Sequence, residues 1–293
     1  MSSPPLISLP PALKRRRYIK LALLLGPGFV LVVLPFVASM LMLGAYSFNL
    51  RDISGAGPGF SVWYAFLSDP FNWRVIWRSI WIAALASIIT LLIAYPTAAA
   101  LLRVRSRFYL AFAYVALFSP LLVSVISRSY GWLLLLSESG LINQLFSLWG
   151  IGPFQLVFNE TGVIIALVHV LLPYAVLPLL NIMAQVPATY REAARDLGGS
   201  EWTVFVKVTL PLTLPGAIVA IKIIFALSIS AFVTPSLLGG GRVLTLSRLL
   251  YDNIGLIEWA MAAVQALVLL TTTLAVLFVL ERINRSTHAA REV

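Results

Sequence analysis

Six apolar segments, separated by polar stretches, dominate the pattern of hydrophobic and polar positions along the chain. A helix of about 20 apolar residues crosses the hydrocarbon core of a bilayer and satisfies its own backbone hydrogen bonds there. The segments cover residues 21–45, 79–102, 108–136, 162–183, 216–238 and 259–280. The pattern therefore predicts an all-α membrane protein with six transmembrane helices.

The third segment, residues 108–136, is the longest and contains Pro120 and Arg128. A proline inside a helix removes one backbone hydrogen bond and favours a kink, and a cation is costly in hydrocarbon. Two alternatives stay open for this segment. It is either one tilted and kinked span, or a span followed by a short helix on the outer side.

Charged residues make up only 11% of the 293 residues and are unevenly distributed between the two sides of the predicted spans. Lys and Arg favour the cytoplasmic side, so their distribution predicts the orientation. Most of the 21 basic residues share one side, namely Lys14, Arg15, Arg16, Arg17, Lys20, Arg103, Arg105, Arg107, Arg191, Arg195, Lys207, Arg282, Arg285 and Arg291. We therefore expect two cytoplasmic tails, residues 1–20 and 281–293, around a transmembrane domain of residues 21–280. The first segment is too long for the apolar core of a signal peptide, so we expect it to be retained.

Side chains suited to catalysis are few. The chain has no cysteine, which excludes disulfides, thiolate metal sites and cysteine nucleophiles. It has no Gly-Lys pair for a phosphate-binding loop, and neither His169 nor His288 belongs to an H-E-x-x-H motif. The sequence thus predicts no enzymatic activity and no metal site. Because the net charge of +10 reflects membrane orientation, we expect no nucleic-acid partner.

The only long loop on the predicted cytoplasmic side, residues 184–214, carries an amphipathic pattern. Apolar residues recur at i, i+3, i+4 and i+7, at Tyr190, Ala193, Ala194 and Leu197, while charged residues occupy the other face. Pro187 is placed to open this helix, and Gly198 can end it in the left-handed conformation. The pattern predicts a short, sharply bounded helix.

A second helix is predicted in the same loop. Ser200 can cap its start, and Pro211 and Pro215 are expected to stop it. Its apolar positions repeat the helical spacing, so we expect it to lie along the membrane surface.

The spacing within this loop resembles the EAA loop of ABC importer permeases. Glu192, Ala193 and Ala194 are followed by three residues, Gly198, nine residues, and then Val208, Thr209, Leu210 and Pro211. Val208 departs mildly from the family's usual isoleucine. The resemblance implies the type I ABC importer permease fold, with the first loop helix seated in a cleft of a separate ATPase. The coupling residues it implies are Tyr190, Arg191, Glu192, Ala193, Ala194, Arg195, Asp196, Leu197 and Gly198.

The resemblance extends over residues 119–250, where the chain is most similar to the spermidine/putrescine branch of these permeases. The segments that carry it are residues 127–132, 140–143, 178–179 and 232–240. It implies a translocation path for a small solute, with a polyamine favoured and another small organic ion as the alternative. The implied pathway residues are Ser127, Arg128, Tyr130, Trp132, Ser230 and Phe232. Relatives often carry a glutamate just before the phenylalanine that matches Phe232, where this chain has Ser230 and Ala231, so one expected anion is missing.

The resemblance also implies the partners and the location. These are a second, different permease subunit, two ATPase subunits that bind ATP and Mg²⁺, a soluble extracytoplasmic solute-binding protein, and the lipid bilayer of the bacterial inner membrane. No cofactor is expected in this chain itself.

Three other interpretations stay open from the residues alone. The loop helix could be only an interfacial helix, stabilised by Glu192 with Arg195. The chain could be a secondary transporter or channel driven by an ion gradient, although its predicted spans contain no acidic residue. It could also be a scaffold that recruits a cytoplasmic protein. Of the ionisable residues within spans, Lys222 is expected to reach the cytoplasmic interface, and His169 to form a contact between helices.

Overall fold

The structure is a computed structural model that describes residues 11–49 and 59–289, with side chains described in residues 26–49 and 59–283. Residues 1–10, 50–58 and 290–293, which include the outer parts of both predicted tails, lie outside the described residues. All regular elements of the described ranges are helices. They are α1 (Pro11–Ser47), α2 (Ser61–Ser68), α3 (Pro70–Leu101), α4 (Arg107–Leu122), α5 (Val125–Leu136), α6 (Leu141–Ser147), α7 (Glu160–Gln185), α8 (Ala188–Asp196), α9 (Glu201–Val204), a π-helical turn (Phe205–Thr209), α10 (Leu210–Ser230), α11 (Val233–Leu238), α12 (Leu246–Gly255) and α13 (Trp259–Ala289).

Five helical stretches of the described chain are long and apolar enough to cross a membrane. They are Gly26–Ser47, Pro70–Leu101, Glu160–Gln185, Glu201–Ser230 and Trp259–Ile283, and a bent pair of helices provides a sixth if it counts as one span. The all-α prediction is therefore confirmed. The second span begins earlier than predicted because Asp69 accepts a hydrogen bond from the Phe71 amide and Pro70 occupies the first helical turn.

The third apolar segment is broken, and not merely kinked. α4 ends at Leu122, and the helical stretch that begins at Val125 leaves it at an angle of 107°. Val123 and Ser124 between them are extended. A second helix therefore follows the break, as one of the two alternatives expected, but α4 is long and apolar enough to cross a membrane only together with the stretch after it.

The fifth predicted segment, residues 216–238, is also divided, which corrects the sequence prediction. α10 ends at Ser230, Ala231 is extended, and α11 begins at Val233. Pro235 has no amide hydrogen to donate to the Ala231 carbonyl four residues earlier, so a continuous helix would leave this carbonyl unpaired. The Ser247 hydroxyl donates to it instead, at 2.7 Å.

The second loop helix differs from its prediction in another way. Ser200 caps it as predicted, since its hydroxyl accepts from the Thr203 amide at 3.2 Å. However, Pro211 and Pro215 do not stop it, because a π-helical turn carries the chain directly into α10. In this wider turn the Leu210 amide donates to the Phe205 carbonyl, five residues earlier. The helix thus shifts its hydrogen-bond pattern directly before Pro211, which has no amide hydrogen to donate. The predicted surface helix is thus the first part of the fifth span.

α7 lies at the centre of the bundle and packs against α3 and α10. Its buried side chains include Val163, Leu167, Leu171 and Leu179. Gly216 of α10 lets the two helices approach closely, because a β-carbon there would lie 2.2 Å from the Ile182 Cγ2 atom. By contrast, α1 packs on α13 at the edge of the bundle, and of its described side chains only Ser47 at its end is buried.

Candidate coupling helix and translocation cavity

The predicted loop helix is present as α8, and its ends follow from its sequence. Pro187 is the residue before the helix, and Gly198 just after it has φ +82°. The Gly198 amide donates to the Arg195 carbonyl at 2.8 Å, and the Gly199 amide donates to the Ala194 carbonyl at 3.0 Å. These bonds satisfy carbonyls that the end of a helix otherwise leaves free. The predicted bounds are confirmed.

α8 contains no buried residue. Tyr190 and Leu197, the two large residues of its apolar stripe, are 54% and 89% exposed. Arg191 and Ala194 are half-buried and lie on the side of the helix that faces the rest of the chain. Of the apolar stripe, Tyr190, Ala193 and Leu197 are therefore exposed, and only Ala194 is turned toward this chain.

Arg195 joins α8 to α9 through a two-point contact with Glu201. Its Nε atom lies 2.7 Å from Glu201 Oε1, and its Nη2 atom donates to Glu201 Oε2 at 3.0 Å. This hydrogen bond lowers the pKa of the Glu201 carboxyl and raises the pKa of the Arg195 guanidinium. The partner of Arg195 is thus Glu201, and not Glu192 as the interfacial-helix interpretation supposed.

A small pocket of about 170 Å³ lies between α8 and the ends of the spans. Arg103, Arg191, Arg195 and Glu201 contribute its charged lining. At its floor the Tyr95 and Thr213 hydroxyls are 2.7 Å apart and join α3 to α10. The Tyr95 ring also contacts the ring of Phe205 in the π-helical turn, with centroids 5.7 Å apart. Contacts are therefore continuous from α8 to two spans.

A second cavity, of about 330 Å³, lies where the two broken spans meet α7. Polar lining comes from Arg128, Tyr174, Ser230 and Thr234. Its apolar lining comes from Leu121, Val123, Val125, Leu167, Val170, Leu171, Leu227, Ala231, Phe232 and Val233. None of these residues, all from the described part of the chain, is acidic. The cavity can accept an apolar or hydroxyl-bonded group but offers no counter-charge to a cation.

α5 and α11, the helices that follow the two breaks, pack against each other. The Ser129 and Thr234 hydroxyls are 3.4 Å apart at this contact. Phe232 stacks on Tyr251 of α12, with ring centroids 4.6 Å apart. The two breaks thus form one structural unit beside the cavity.

Arg128 lies at the cavity, but the guanidinium is engaged by backbone. Its Nη1 atom donates to the Pro120 carbonyl and, at 3.4 Å, to the Val123 carbonyl. These carbonyls belong to the end of α4, where no further helical turn supplies amide donors. A cation also interacts favourably with the C-terminal end of a helix.

The structure brings together only half of the predicted pathway residues. Arg128, Ser230 and Phe232 line the cavity, whereas Ser127 and Tyr130 are exposed elsewhere on α5. Trp132 packs into the core, and its Nε1 atom donates to His169 Nδ1 at 3.2 Å, which confirms His169 as a contact between helices. Sequence reasoning missed Tyr174 and Thr234. The available signal is their hydroxyl groups within apolar segments, but the resemblance did not assign either residue to the pathway.

Lys222 of α10 pairs with Glu281 of α13, with Nζ 2.6 Å from Oε2. Glu281 directly follows the last predicted span. The flexible stem of Lys222 thus extends to the end of that span, in the direction predicted.

A bundle of membrane-length helices, broken around an internal cavity, is the architecture of an integral membrane protein. Comparison with known proteins specifies the family. Residues 91–288 match the family described as the binding-protein-dependent transport system inner membrane component. The chain belongs to this family and is an inner-membrane permease of an ABC importer.

Individual relatives agree with this membership. The chain is 30% identical over 260 residues to the spermidine/putrescine transport system permease protein PotB of Haemophilus influenzae, covering 87% of this chain and 90% of that protein. It is 29% identical over 262 residues to PotB of Escherichia coli K12, covering 87% and 94% of the two chains. A chain of a bacterial alginate ABC transporter, solved in complex with an alginate pentasaccharide-bound periplasmic protein, has a similar fold. It superposes with a TM-score of 0.73 at 16% identity and covers 93% of this chain.

Proposed function

We propose that this permease imports a small organic solute, with a polyamine favoured, and that α8 couples it to a separate ATPase. The observation that carries the proposal is the exposed apolar stripe of α8, which matches the EAA spacing and has no partner within the described chain. Large apolar side chains exposed at a defined spacing are typical of a docking surface. Residues 190–198 are the proposed contact.

The contacts next to α8 supply a route for movement. A shift of α8 would reach α9 through Arg195 and Glu201, and the π-helical turn through Phe205. From there it would reach α3 and α10 through the Tyr95 and Thr213 hydroxyls. α10 leads to the break at Ala231, and hence to the cavity. ATP hydrolysis in the partner would alternately open this cavity to the two sides of the membrane.

The complete importer, on this proposal, contains two different permeases, two ATPase subunits that bind ATP and Mg²⁺, and a soluble extracytoplasmic binding protein. The alginate neighbour was solved with its periplasmic protein, which supports a comparable arrangement here. The topology has six spans, with the α4–α5 pair as the third, and both termini in the cytoplasm. Residues 21–280 would form the transmembrane domain, with residues 184–214 as its cytoplasmic loop.

Polyamine transport is supported by the PotB relatives. The cavity is less suited to a polyamine, because the described lining of the cavity contains no carboxylate. Ser230 and Ala231 occupy the positions where relatives often carry a glutamate. A polycation would need its counter-charges from the second permease. The same observation favours a second candidate, a small organic ion of lower positive charge.

The test is uptake by proteoliposomes that contain both permeases, the ATPase and the binding protein. We expect ATP-dependent accumulation of radiolabelled spermidine, with unlabelled putrescine as competitor. ATP-dependent uptake of another organic ion, without competition by polyamines, would refute the polyamine assignment and keep the importer. Spermidine uptake that needs an ion gradient, and no ATP, would refute the coupling proposal.

A further inference from the structure

A groove of about 780 Å³ lies beside the N-terminal end of α3, separate from α8 and from the cavity. Its size is within the range of small-molecule sites, about 300–1,000 Å³. Three tryptophans, Trp73, Trp77 and Trp81, line it together with Arg74 and Arg78. Indole rings and guanidinium groups thus share one surface.

The three tryptophans follow each other at intervals of four residues and so form one stripe along α3. They are 55%, 69% and 51% exposed, so the described chain leaves much of each ring uncovered. α3 has 32 residues, which at about 1.5 Å per residue is longer than the hydrocarbon core of about 30 Å. The predicted apolar segment of this helix starts at residue 79, so we expect the turns before it at the level of the lipid headgroups, where tryptophan is enriched.

The walls of the groove are held in place. The Trp73 Nε1 atom donates to the Leu67 carbonyl at 2.9 Å, which fixes this ring across the turn between α2 and α3. Arg78 is paired with Glu160 at 2.9 Å and donates to the Arg242 carbonyl at 3.2 Å. Arg74, in contrast, forms no ion pair within the described residues. Among the described residues, the groove therefore has one more cation than it has carboxylates.

We propose that this groove binds an anionic phospholipid. The phosphate of the lipid would contact Arg74, and the part of an acyl chain nearest the headgroup would lie against Trp77 and Trp81. Arginine matches phosphate geometry through paired N–H donors, and one phosphodiester balances the one free charge of the groove. A helix of the second permease is the competing occupant, but the free guanidinium at headgroup level favours the lipid.

The experiment uses the assembled importer in nanodiscs of phosphatidylcholine with added phosphatidylglycerol. Native mass spectrometry would count retained phosphatidylglycerol in the native complex and in the Arg74→Gln and Trp77→Ala variants. We expect each substitution to reduce retention roughly tenfold, because each removes one half of the proposed site. Both side chains are exposed, so both variants should assemble normally.

Two matched controls keep the result specific. Arg242→Gln removes another exposed arginine that does not line the groove, and Trp149→Ala removes an exposed tryptophan outside α3. Both should retain phosphatidylglycerol as the native complex does. Unchanged retention in Arg74→Gln and Trp77→Ala would overturn the proposal. Exclusive capture of the second permease by a photo-crosslinker at position 77 would overturn it as well.

Discussion

α7 and α8 are adjacent in the chain, separated only by Val186 and Pro187, yet they are opposite in burial. α7 buries residues along both flanks between α3 and α10, whereas α8 buries none. Both carry apolar side chains at helical spacing. The difference shows that the described chain buries the apolar residues of α7 itself and leaves most of those of α8 exposed, as the proposed contact with the ATPase requires. Substitutions in the bundle should therefore change stability, and substitutions in α8 should change coupling.

The largest effect on stability is expected at the contact between α10 and α7. In Gly216→Ala the new β-carbon would lie 2.2 Å from Ile182 Cγ2, so the helices must separate, at a cost of about 3 kcal/mol. Thermal unfolding in detergent measures this loss. Gly131→Ala is the control, since its β-carbon meets nothing within 4 Å and alanine favours helix. Equal stability of the two variants would contradict the close packing.

Arg128 is expected to act on the break between α4 and α5. Arg128→Met leaves the carbonyls of Pro120 and Val123 without their donor, which should cost about 2 kcal/mol. Arg128→Lys should restore part of this loss with one ammonium group. Both unfolding and solute affinity should be measured. A variant of native stability that no longer binds solute would instead place Arg128 in solute recognition.

The pair of Lys222 and Glu281 tests the edge of the bundle. Lys222→Met or Glu281→Leu alone leaves one charge without this partner, and we expect each to cost about 1–2 kcal/mol. The double variant should be more stable than the sum of the single effects predicts. A double-mutant cycle in detergent measures the coupling. Strict additivity would mean that the contact contributes nothing.

Gly198 should separate coupling from stability. Gly198 has φ +82°, a conformation that destabilises a β-branched residue by about 1 kcal/mol. A β-carbon added at this position would meet no neighbour within 4 Å. Gly198→Val should shift the end of α8 and reduce solute-stimulated ATP hydrolysis, with little change in unfolding temperature. Gly198→Asn should keep most activity, because asparagine tolerates this conformation. Full coupling in Gly198→Val would show that the end of α8 is not needed.

The smallest effect is expected from pH at Glu201. Arg195 lowers the pKa of this carboxyl, so the stabilisation from the pair is complete above the usual carboxyl pKa. It is lost only as pH falls through the lowered value. The hydrogen-exchange protection of α8, taken relative to the intrinsic exchange rate at each pH, should therefore stay constant near neutral pH and fall in acid. Glu201→Gln should abolish that acid dependence, and an unchanged dependence would assign it to another group.

Local signals allowed much of the fold to be predicted. Apolar runs predicted the spans. Pro187 and Gly198 predicted the bounds of α8, because each of these two residues restricts or permits a backbone conformation at its own position. The break at Ala231 was not predicted, because the hydrogen bond to its carbonyl comes from Ser247, sixteen residues later in the chain. The continuation of the helix past Pro211 was not predicted either, because it depends on a π-helical turn, which hydrophobic periodicity does not report. The cavity depends on the packing of α5 against α11, so sequence alone does not report that Arg128, Ser230 and Phe232 line it together.

The most direct test of the account is whether α8 touches the ATPase. The chain has no native cysteine, so Ala193→Cys introduces a single reactive thiol on α8 without further changes. Trp149→Cys provides an exposed thiol on the predicted opposite side of the membrane. A thiol-directed photo-crosslinker is attached in membranes that contain the whole importer. We predict that position 193 crosslinks to the ATPase, that ATP changes the yield, and that position 149 gives no such product. No ATPase adduct from position 193, in an importer that still transports, would contradict the coupling role of α8.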